Sequence, residues 1–235
     1  MPALPYKPGD VIRHAAITLA EGASYQAGMN FRPGGRTSIF LMSRRPGAPY
    51  DDRVEKDGRV LIYEGHNAKR LHGEPSPETI DQPASTPKGT PTQNGRFLNA
   101  ARLFKARKAP AEPIHVYEKI RDGMWVYNGV FRLVDAWQEQ SAGRKVYKYR
   151  LLLADDQSPE ATAVEHDVEN TRMIPSLVKQ EVWKRDKGRC RQCGSNKNLH
   201  FDHIIPWSRG GSSLTADNIQ LLCAKHNLAK HDRIE

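Results

Sequence analysis

Two short ligand patterns in the last 57 residues constrain this chain more than any other feature. Cys190-x-x-Cys193 and Cys223-x-x-His226 each place two metal-ligating side chains on one tight turn. A segment this small buries too little surface to fold on an apolar core alone, and a structural metal is a common remedy. Three thiolates and one imidazole form an ordinary tetrahedral set, so the sequence predicts structural Zn²⁺. Three free thiols in a small core are the alternative.

Composition and charge narrow the class of protein. Lys and Arg number 36 against 27 Asp and Glu, and the formal charge of +9 favours a polyanionic partner such as nucleic acid. No apolar run approaches the ~20 residues that cross a bilayer, and the N-terminus lacks the apolar stretch of a secretory signal. We therefore expect no membrane partner. All three Cys lie in the ligand patterns, which favours a reducing cytoplasm over a disulfide framework.

The chain divides into a predicted β-rich unit over 1–157, a linker over 158–178 and a small C-terminal unit over 179–235. Apolar or alternating runs between turn residues predict strands at 38–42, 60–63, 114–119, 130–137 and 145–153. Several strands in one domain indicate a barrel or a strongly bent sheet. Phe97, Ala101 and Phe104 share one helical face, and the Pro-rich stretch 66–95 predicts a long irregular loop. The predicted fold class is α+β.

The C-terminal unit follows the order knuckle, strand, loop and helix. An Asp202-His203 pair ends a predicted strand over 199–205, Asn218 follows the loop, and Asn227 lies one position past the second ligand pattern. A helix is predicted over 176–185 and another over 224–232. In this order and spacing, the segment resembles the HNH nuclease motif of the ββα-metal superfamily. The resemblance implies a metal-dependent endonuclease that hydrolyses phosphodiesters.

Each polar residue of the motif has an expected role. Phosphodiester hydrolysis needs an activated water and stabilised negative charge. His203 is the candidate general base, since imidazole titrates near neutral pH. Asp202 offers a hard oxygen ligand to a catalytic Mg²⁺ or Mn²⁺, and Asn227 stands where the family has the second ligand. Asn218 is expected to hold the His203 loop through its amide.

Two alternatives stay open in this segment. The family usually has Cys at the fourth zinc position, so His226 could instead bind the catalytic cation; we favour zinc because Cys-x-x-His mirrors Cys-x-x-Cys. His203 could be a structural histidine in an inactive, DNA-binding unit. Four basic residues are candidate DNA phosphate contacts: Arg209, Lys230, Arg36 and Arg44.

The N-terminal unit carries a second set of motifs. Tyr50-Asp-Asp52 precedes a strand that ends in Tyr63-Glu-Gly65, and the aromatic runs Trp125–Trp137 and Tyr147–Leu153 follow. Together they resemble the SRA (SET-and-RING-associated, or YDG) domain. The resemblance implies a PUA-like bent β-barrel with flanking helices that flips a modified cytosine out of duplex DNA, an extrusion that costs a few kcal/mol.

The same resemblance assigns a base pocket. Tyr50 and Tyr63 would sandwich the pyrimidine, since base–aromatic stacking contributes roughly 1–3 kcal/mol. Asp52 would accept from the cytosine N4 amine, with Asp51 as second choice. The family has its pocket Asp three residues after the first Tyr, where this chain has Arg53. Taken without the resemblance, these are ordinary turn and strand residues.

The two resemblances together predict a modified-cytosine-dependent DNA endonuclease. It would bind 5-methylcytosine or 5-hydroxymethylcytosine in double-stranded DNA, cut nearby, and restrict foreign DNA in a bacterial cytoplasm. One HNH centre cuts one strand, so a homodimer is expected on DNA. The linker predicts a loose spacing between base and cut. The alternatives are an HNH endonuclease indifferent to methylation and a methyl-DNA-binding module with an inactive HNH clamp.

Overall fold

The computed structural model describes residues 4–22, 25, 27–44, 50–55, 59–70, 73, 75–154, 173–206, 209–230 and 233–234. Within them lie ten strands and four α-helices. The strands are β1 Val11–Arg13, β2 Met29–Asn30, β3 Ser38–Met42, β4 Arg53–Glu55, β5 Val60–Glu64, β6 Glu112–Arg121, β7 Met124–Ser141, β8 Arg144–Leu153, β9 Leu199–His203 and β10 Ile219–Cys223. The helices are α1 His14–Glu21, α2 Gln93–Lys105, α3 Ser176–Arg185 and α4 Ala224–Lys230. The predicted α+β class is confirmed.

The first eight strands form one sheet in the order β2-β3-β6-β7-β8-β5-β4, with β1 added on β7. Only the β3–β6 pair is parallel among the described strands. β7 is 18 residues long and pairs with β1 and β6 through its first half and with β8 through its second half. Register shifts at Val116/Tyr117 and Leu133/Asp135 are β-bulges, which bend a sheet. The bent sheet is therefore confirmed.

The main core lies between this sheet and α2. Phe97 and Ala101 of α2 are fully buried against aromatic side chains of the strands, including Phe40 and Tyr149. The Thr92 hydroxyl caps the helix by accepting from Gly95 N, which satisfies an otherwise unpaired amide. The amphipathic helix predicted from the spacing of Phe97 and Ala101 is thus observed.

The Pro-rich segment between β5 and α2 contains no helix or strand among its described residues. It is nevertheless fixed to the sheet. Gln82 donates to the Gly65 carbonyl at 2.6 Å, and its own amide oxygen accepts from Tyr147 N at 2.8 Å. Asn94 exchanges two hydrogen bonds with the His66 backbone. The loop therefore holds the end of β5 in a defined position.

The C-terminal unit is a β9–β10 hairpin flanked by α3 and α4. Its core combines apolar residues of the hairpin, such as Phe201 and Leu221, with Val178 and Val182 of α3. α3 has the predicted bounds and crosses the predicted boundary between linker and C-terminal unit at 178/179. Most of the predicted linker, 158–172, lies outside the described residues.

No helix in the described part of the chain combines the length and the apolar character that a membrane crossing requires.

Candidate functional site

The four predicted zinc ligands converge in the structure. The ligand atoms of Cys190, Cys193, Cys223 and His226 all lie within 4.8 Å of one another. The Cys193 and Cys223 sulfurs are 3.8 Å apart, and His226 Nδ1 lies 3.3 Å from the Cys190 sulfur and 3.5 Å from the Cys223 sulfur. Tetrahedral Zn²⁺ with ordinary bond lengths requires edges of about 3.8 Å between sulfurs and about 3.5 Å between sulfur and nitrogen. The donor set and its spacing fit zinc.

Local structure explains this convergence. Gly194 N donates to the Cys190 carbonyl at 2.8 Å and Gly194 has a φ of 72°, which closes the first turn in a conformation that favours glycine. Cys223 ends β10 and His226 lies in the first turn of α4. The knuckle is joined to the hairpin because Arg191 N donates to the Leu221 carbonyl.

Asp202 and His203 end strand β9 beside Lys230 and Ser213. The Lys230 ammonium donates to the His203 carbonyl at 2.7 Å and lies 3.1 Å from Asp202 Oδ2. Burial raises the pKa of the Asp202 carboxyl, and Lys230 acts in the opposite direction. The His203 ring shares a 2.8 Å hydrogen bond between Nε2 and the Ser213 hydroxyl. The base candidate is therefore oriented by a buried serine.

Asn218 makes the contacts that its predicted role requires. Its amide oxygen accepts from Ile205 N at 2.8 Å, and its amide nitrogen donates to the Ile205 and Ser212 carbonyls at 3.2 and 2.9 Å. A Cβ at Gly211 would lie 1.8 Å from the Ile205 carbonyl oxygen, so the loop can pass here only with glycine. Asn218 thus joins both ends of the loop that follows His203.

The other predicted site residues of this unit, Asn227, Arg209 and Lys230, differ in how exposed they are. Asn227 is half-buried on α4, and Arg209 is exposed directly after the loop residues 207–208, which lie outside the described part. Lys230 is 2% exposed and is engaged by Asp202 and His203. As a correction to the expected phosphate contact, its ammonium lies inside the site and not on the surface.

The predicted base pocket has a different arrangement. Tyr50 is half-buried and stacks on His66, with ring centroids 5.4 Å apart and planes 19° apart. Tyr63 is 1% exposed and packs on Phe40 at 4.2 Å, and its hydroxyl donates to the Leu41 carbonyl at 3.3 Å. As a correction to the expected stacking face, Tyr63 is a core residue in this structure.

Asp52 lies beside this aromatic pair in a buried polar network. Its Oδ1 accepts from Glu64 N at 3.0 Å, and burial raises the pKa of its carboxyl to about 7. The Lys148 ammonium, itself fully buried, binds Glu64 at 2.9 Å and lowers the Asp52 pKa. Asp51, the second choice, is 66% exposed and lies 3.7 Å from Lys148.

The two N-terminal arginines have unequal positions. Arg36 donates from Nη1 to the Glu21 carbonyl at 2.7 Å and covers Gly22, which ends α1 in the left-handed conformation. Arg44 is half-buried, directly ahead of residues 45–49, which lie outside the described part, and its charge lowers the pKa of Asp52.

Ser213 and His66 were missed by the sequence reasoning, and Lys230 was predicted in a different role, as a DNA phosphate contact. Ser213 orients His203, Lys230 pairs with Asp202, and His66 stacks on Tyr50. A serine in a Gly-Ser-rich loop and a histidine after a strand have no characteristic spacing. Only the position of Lys230 on the inner face of the last helix, seven residues after Cys223, carried a usable signal.

The chain matches one family model and several solved structures. The sequence model of the HNH endonuclease family matches residues 190–233, so the predicted HNH domain is confirmed. The fold is similar to the SUVH5 SRA domain in its complexes with methylated CHH DNA (19% identity, TM-score 0.46) and fully methylated CG DNA (21%, 0.47). It is also similar to that domain bound to fully hydroxymethylated CG DNA (20%, 0.46). Each similarity covers 67% of this chain and 96% of that one. No curated protein matches the chain.

Proposed function

We propose that this protein is a DNA endonuclease that recognises a modified cytosine, 5-methylcytosine or 5-hydroxymethylcytosine, and cuts the duplex nearby. The observation that carries the proposal is the convergence of Asp202, His203 and Asn218 at one end of the β9–β10 hairpin, in a segment that also holds the zinc-type cluster and matches the HNH endonuclease model.

The chemistry follows from the positions of these side chains. His203, held by Ser213, accepts the proton of the attacking water. Asn218 holds the loop after His203 in place, which keeps the His203 ring correctly oriented toward the attacking water. Asp202 Oδ2 lies 3.1 Å from the Lys230 ammonium, and its carboxylate, together with the Asn227 amide oxygen, offers the hard oxygen ligands that would hold a divalent cation. When bound there, Mg²⁺ or Mn²⁺ would stabilise negative charge on the phosphate.

The recognition half of the proposal rests on the motifs around Tyr50 and Tyr63 that resemble the SRA domain. Tyr50 is half-buried, and a flipped base could stack on its ring in place of His66. Asp52 lies in the same region as a buried carboxyl able to read the N4 amine.

One observation favours a second candidate function. Tyr63 is part of the main core and is 1% exposed, so among the described residues its ring is already covered by protein groups. An HNH endonuclease indifferent to methylation would have this property. The two functions differ in a single measurable quantity, the ratio of cleavage rates on modified and unmodified DNA.

Further parts of the proposal concern assembly and biological role. A double-strand break requires two HNH centres, so we propose that two copies act together on DNA. Restriction of modified foreign DNA in a bacterial cytoplasm is the role that suits such an activity.

The test is digestion of matched duplexes that carry one 5-methylcytosine, one 5-hydroxymethylcytosine or only unmodified cytosine, with Mg²⁺ and then Mn²⁺, and sequencing of the ends. We expect cuts near the modified base and little cleavage of unmodified DNA. Equal cleavage of all three duplexes would support the methylation-indifferent enzyme. Binding to modified DNA with no cleavage by either cation would contradict both and leave a binding module.

A further inference from the structure

Near the start of the chain, the backbone of Gly9 is hydrogen-bonded to both the sheet and the HNH unit. Gly9 N donates to the Tyr127 carbonyl of β7 at 2.9 Å, while the Gly9 carbonyl accepts from Phe201 N of β9 at 3.0 Å. The side chains of Asp10 and His200 meet at 2.7 Å. A Cβ at Gly9 would lie 2.9 Å from the Phe201 carbonyl oxygen, so the strands approach closely only because this residue is glycine.

A buried ion pair and an apolar cluster hold the same junction from the other side. The Lys179 ammonium of α3 lies 2.8 Å from Glu118 Oε2 and 2.6 Å from Asn128 Oδ1, and all three side chains are buried. Ile120 and Val126 of the sheet pack into the core of the HNH unit. Separating the units would expose two desolvated charges and this apolar surface, which is costly. The junction is therefore rigid.

This rigid junction forms a groove of about 200 Å³ with a strongly basic lining. The sheet contributes Arg13 and Arg121, and the HNH unit contributes Lys187 and Arg189. Met124, Trp183, Gly188 and Asn196 complete the described lining, so no carboxylate is part of it. The nearby acid Asp122 is engaged by Lys119 at 2.9 Å. Four like charges repel one another, and an anion between them would relieve that repulsion.

We infer that this groove binds the phosphodiester backbone of DNA, with two cations from each unit on the same strand segment. Phosphate oxygens suit the Lys and Arg donors, and the Trp183 and Met124 side chains offer an apolar surface for deoxyribose. The inference rests on the proposed function only in that the substrate is DNA. It adds a non-specific DNA contact at the junction of the sheet and the HNH unit.

The test uses two paired variants of the full chain, Arg13→Gln/Arg121→Gln on the sheet and Lys187→Gln/Arg189→Gln on the HNH unit. A third pair outside the groove, Arg107→Gln/Lys108→Gln, removes the same charge and is the control. Because Arg189 also donates to the Gly194 carbonyl of the zinc knuckle, the zinc content of the second pair is measured first. The Kd of each protein is then measured by fluorescence anisotropy without catalytic cation, on modified and unmodified duplexes, from low to high salt.

Each groove pair should raise Kd by ~10-fold or more at ~0.1 M salt, by the same factor on both duplexes, and should reduce the slope of log K against log salt by about 2. The control pair should change the slope less. Unchanged Kd and slope in the groove pairs, or an equal loss in the control pair, would overturn the inference. Because binding to the unmodified duplex does not depend on recognition of a modified base, the effect of the groove pairs can be measured on it. A wild-type protein without preference for modified DNA would contradict the proposed recognition and leave this result interpretable.

Discussion

The HNH centre and the aromatic pocket around Tyr50 differ in the sequence distance over which their residues meet. The zinc-type cluster joins two turns across one hairpin, and Asn218 contacts a loop that begins 13 residues earlier. The pocket depends instead on a long loop, a buried lysine from β8 and an aromatic core that α2 completes. Short-range contacts fix the first site before any ligand binds. The second site is shaped by global packing, and its aromatic faces are already used by protein groups.

The largest expected effect comes from the local site. Cys223→Ala should abolish zinc binding and cleavage, because a structural zinc site contributes on the order of 10 kcal/mol to folding. Zinc content and cleavage are the measurements, with Ser195→Ala as a control in the same knuckle that removes no ligand. A Cys223→Ala protein with full zinc content would show that this residue is not a ligand. The sheet unit should keep its preference for modified over unmodified duplex, which would separate the two sites, although binding to both duplexes weakens as the HNH half of the groove is lost.

His203→Ala should lower the cleavage rate by ~10²–10⁴-fold while leaving the Kd for DNA unchanged, because only proton transfer is removed. Ser213→Ala should lower kcat with little change in KM, since the ring of His203 loses the hydroxyl that orients it. Ser213→Thr keeps that hydroxyl and should restore most of the rate. Wild-type cleavage by His203→Ala would remove His203 from the mechanism.

The two tyrosines of the expected pocket should respond in opposite ways. Tyr63→Ala empties part of the main core and should reduce the free energy of unfolding by ~3–5 kcal/mol, whereas Tyr63→Phe removes only a long hydrogen bond and should be mild. Tyr50→Ala should cost little stability but weaken the preference for modified DNA by ~10-fold or more, since one stacking face is lost. Urea unfolding and binding to the matched duplexes measure both. Equal behaviour of the two alanine variants would contradict this division.

The same contrast explains what the sequence could predict. Ligand spacing, turn residues and the helical face of Phe97 are local signals, and they predicted β3, β5, β6, β8, β9, part of β7, α2, α3 and the zinc-type cluster. The short strands β1, β2 and β4, and β10, were not predicted. The burial of Tyr63 had no such signal, because every residue of β5 is buried and the strand shows no alternation. Lys230 and Lys179 belong to a residue type that is usually exposed, and both became buried through single carboxylate partners far away in sequence. Pairings of this kind depend on the assembled fold.

A pH-dependent stability should distinguish Asp52 from its exposed neighbour. Burial raises the Asp52 pKa to about 7, from 3.8 in the unfolded chain, so the folded protein binds more protons than the unfolded one between these values. Stability from this group is therefore lost as pH rises through that window. Asp52→Asn should remove the loss, and its advantage over wild type should grow by about 2–3 kcal/mol between pH 5 and pH 8.

Asp51→Asn is the matched control, because that side chain is mostly exposed and should show almost no such growth. Urea unfolding of the three proteins at both pH values measures the effect. An Asp52→Asn advantage that is equal at pH 5 and pH 8 would mean that the buried carboxyl is ionised throughout. The Asp52 carboxylate would then be able to accept a hydrogen bond from a base without first losing a proton. The region around Tyr50 would in that respect be ready for its ligand, as the HNH centre is.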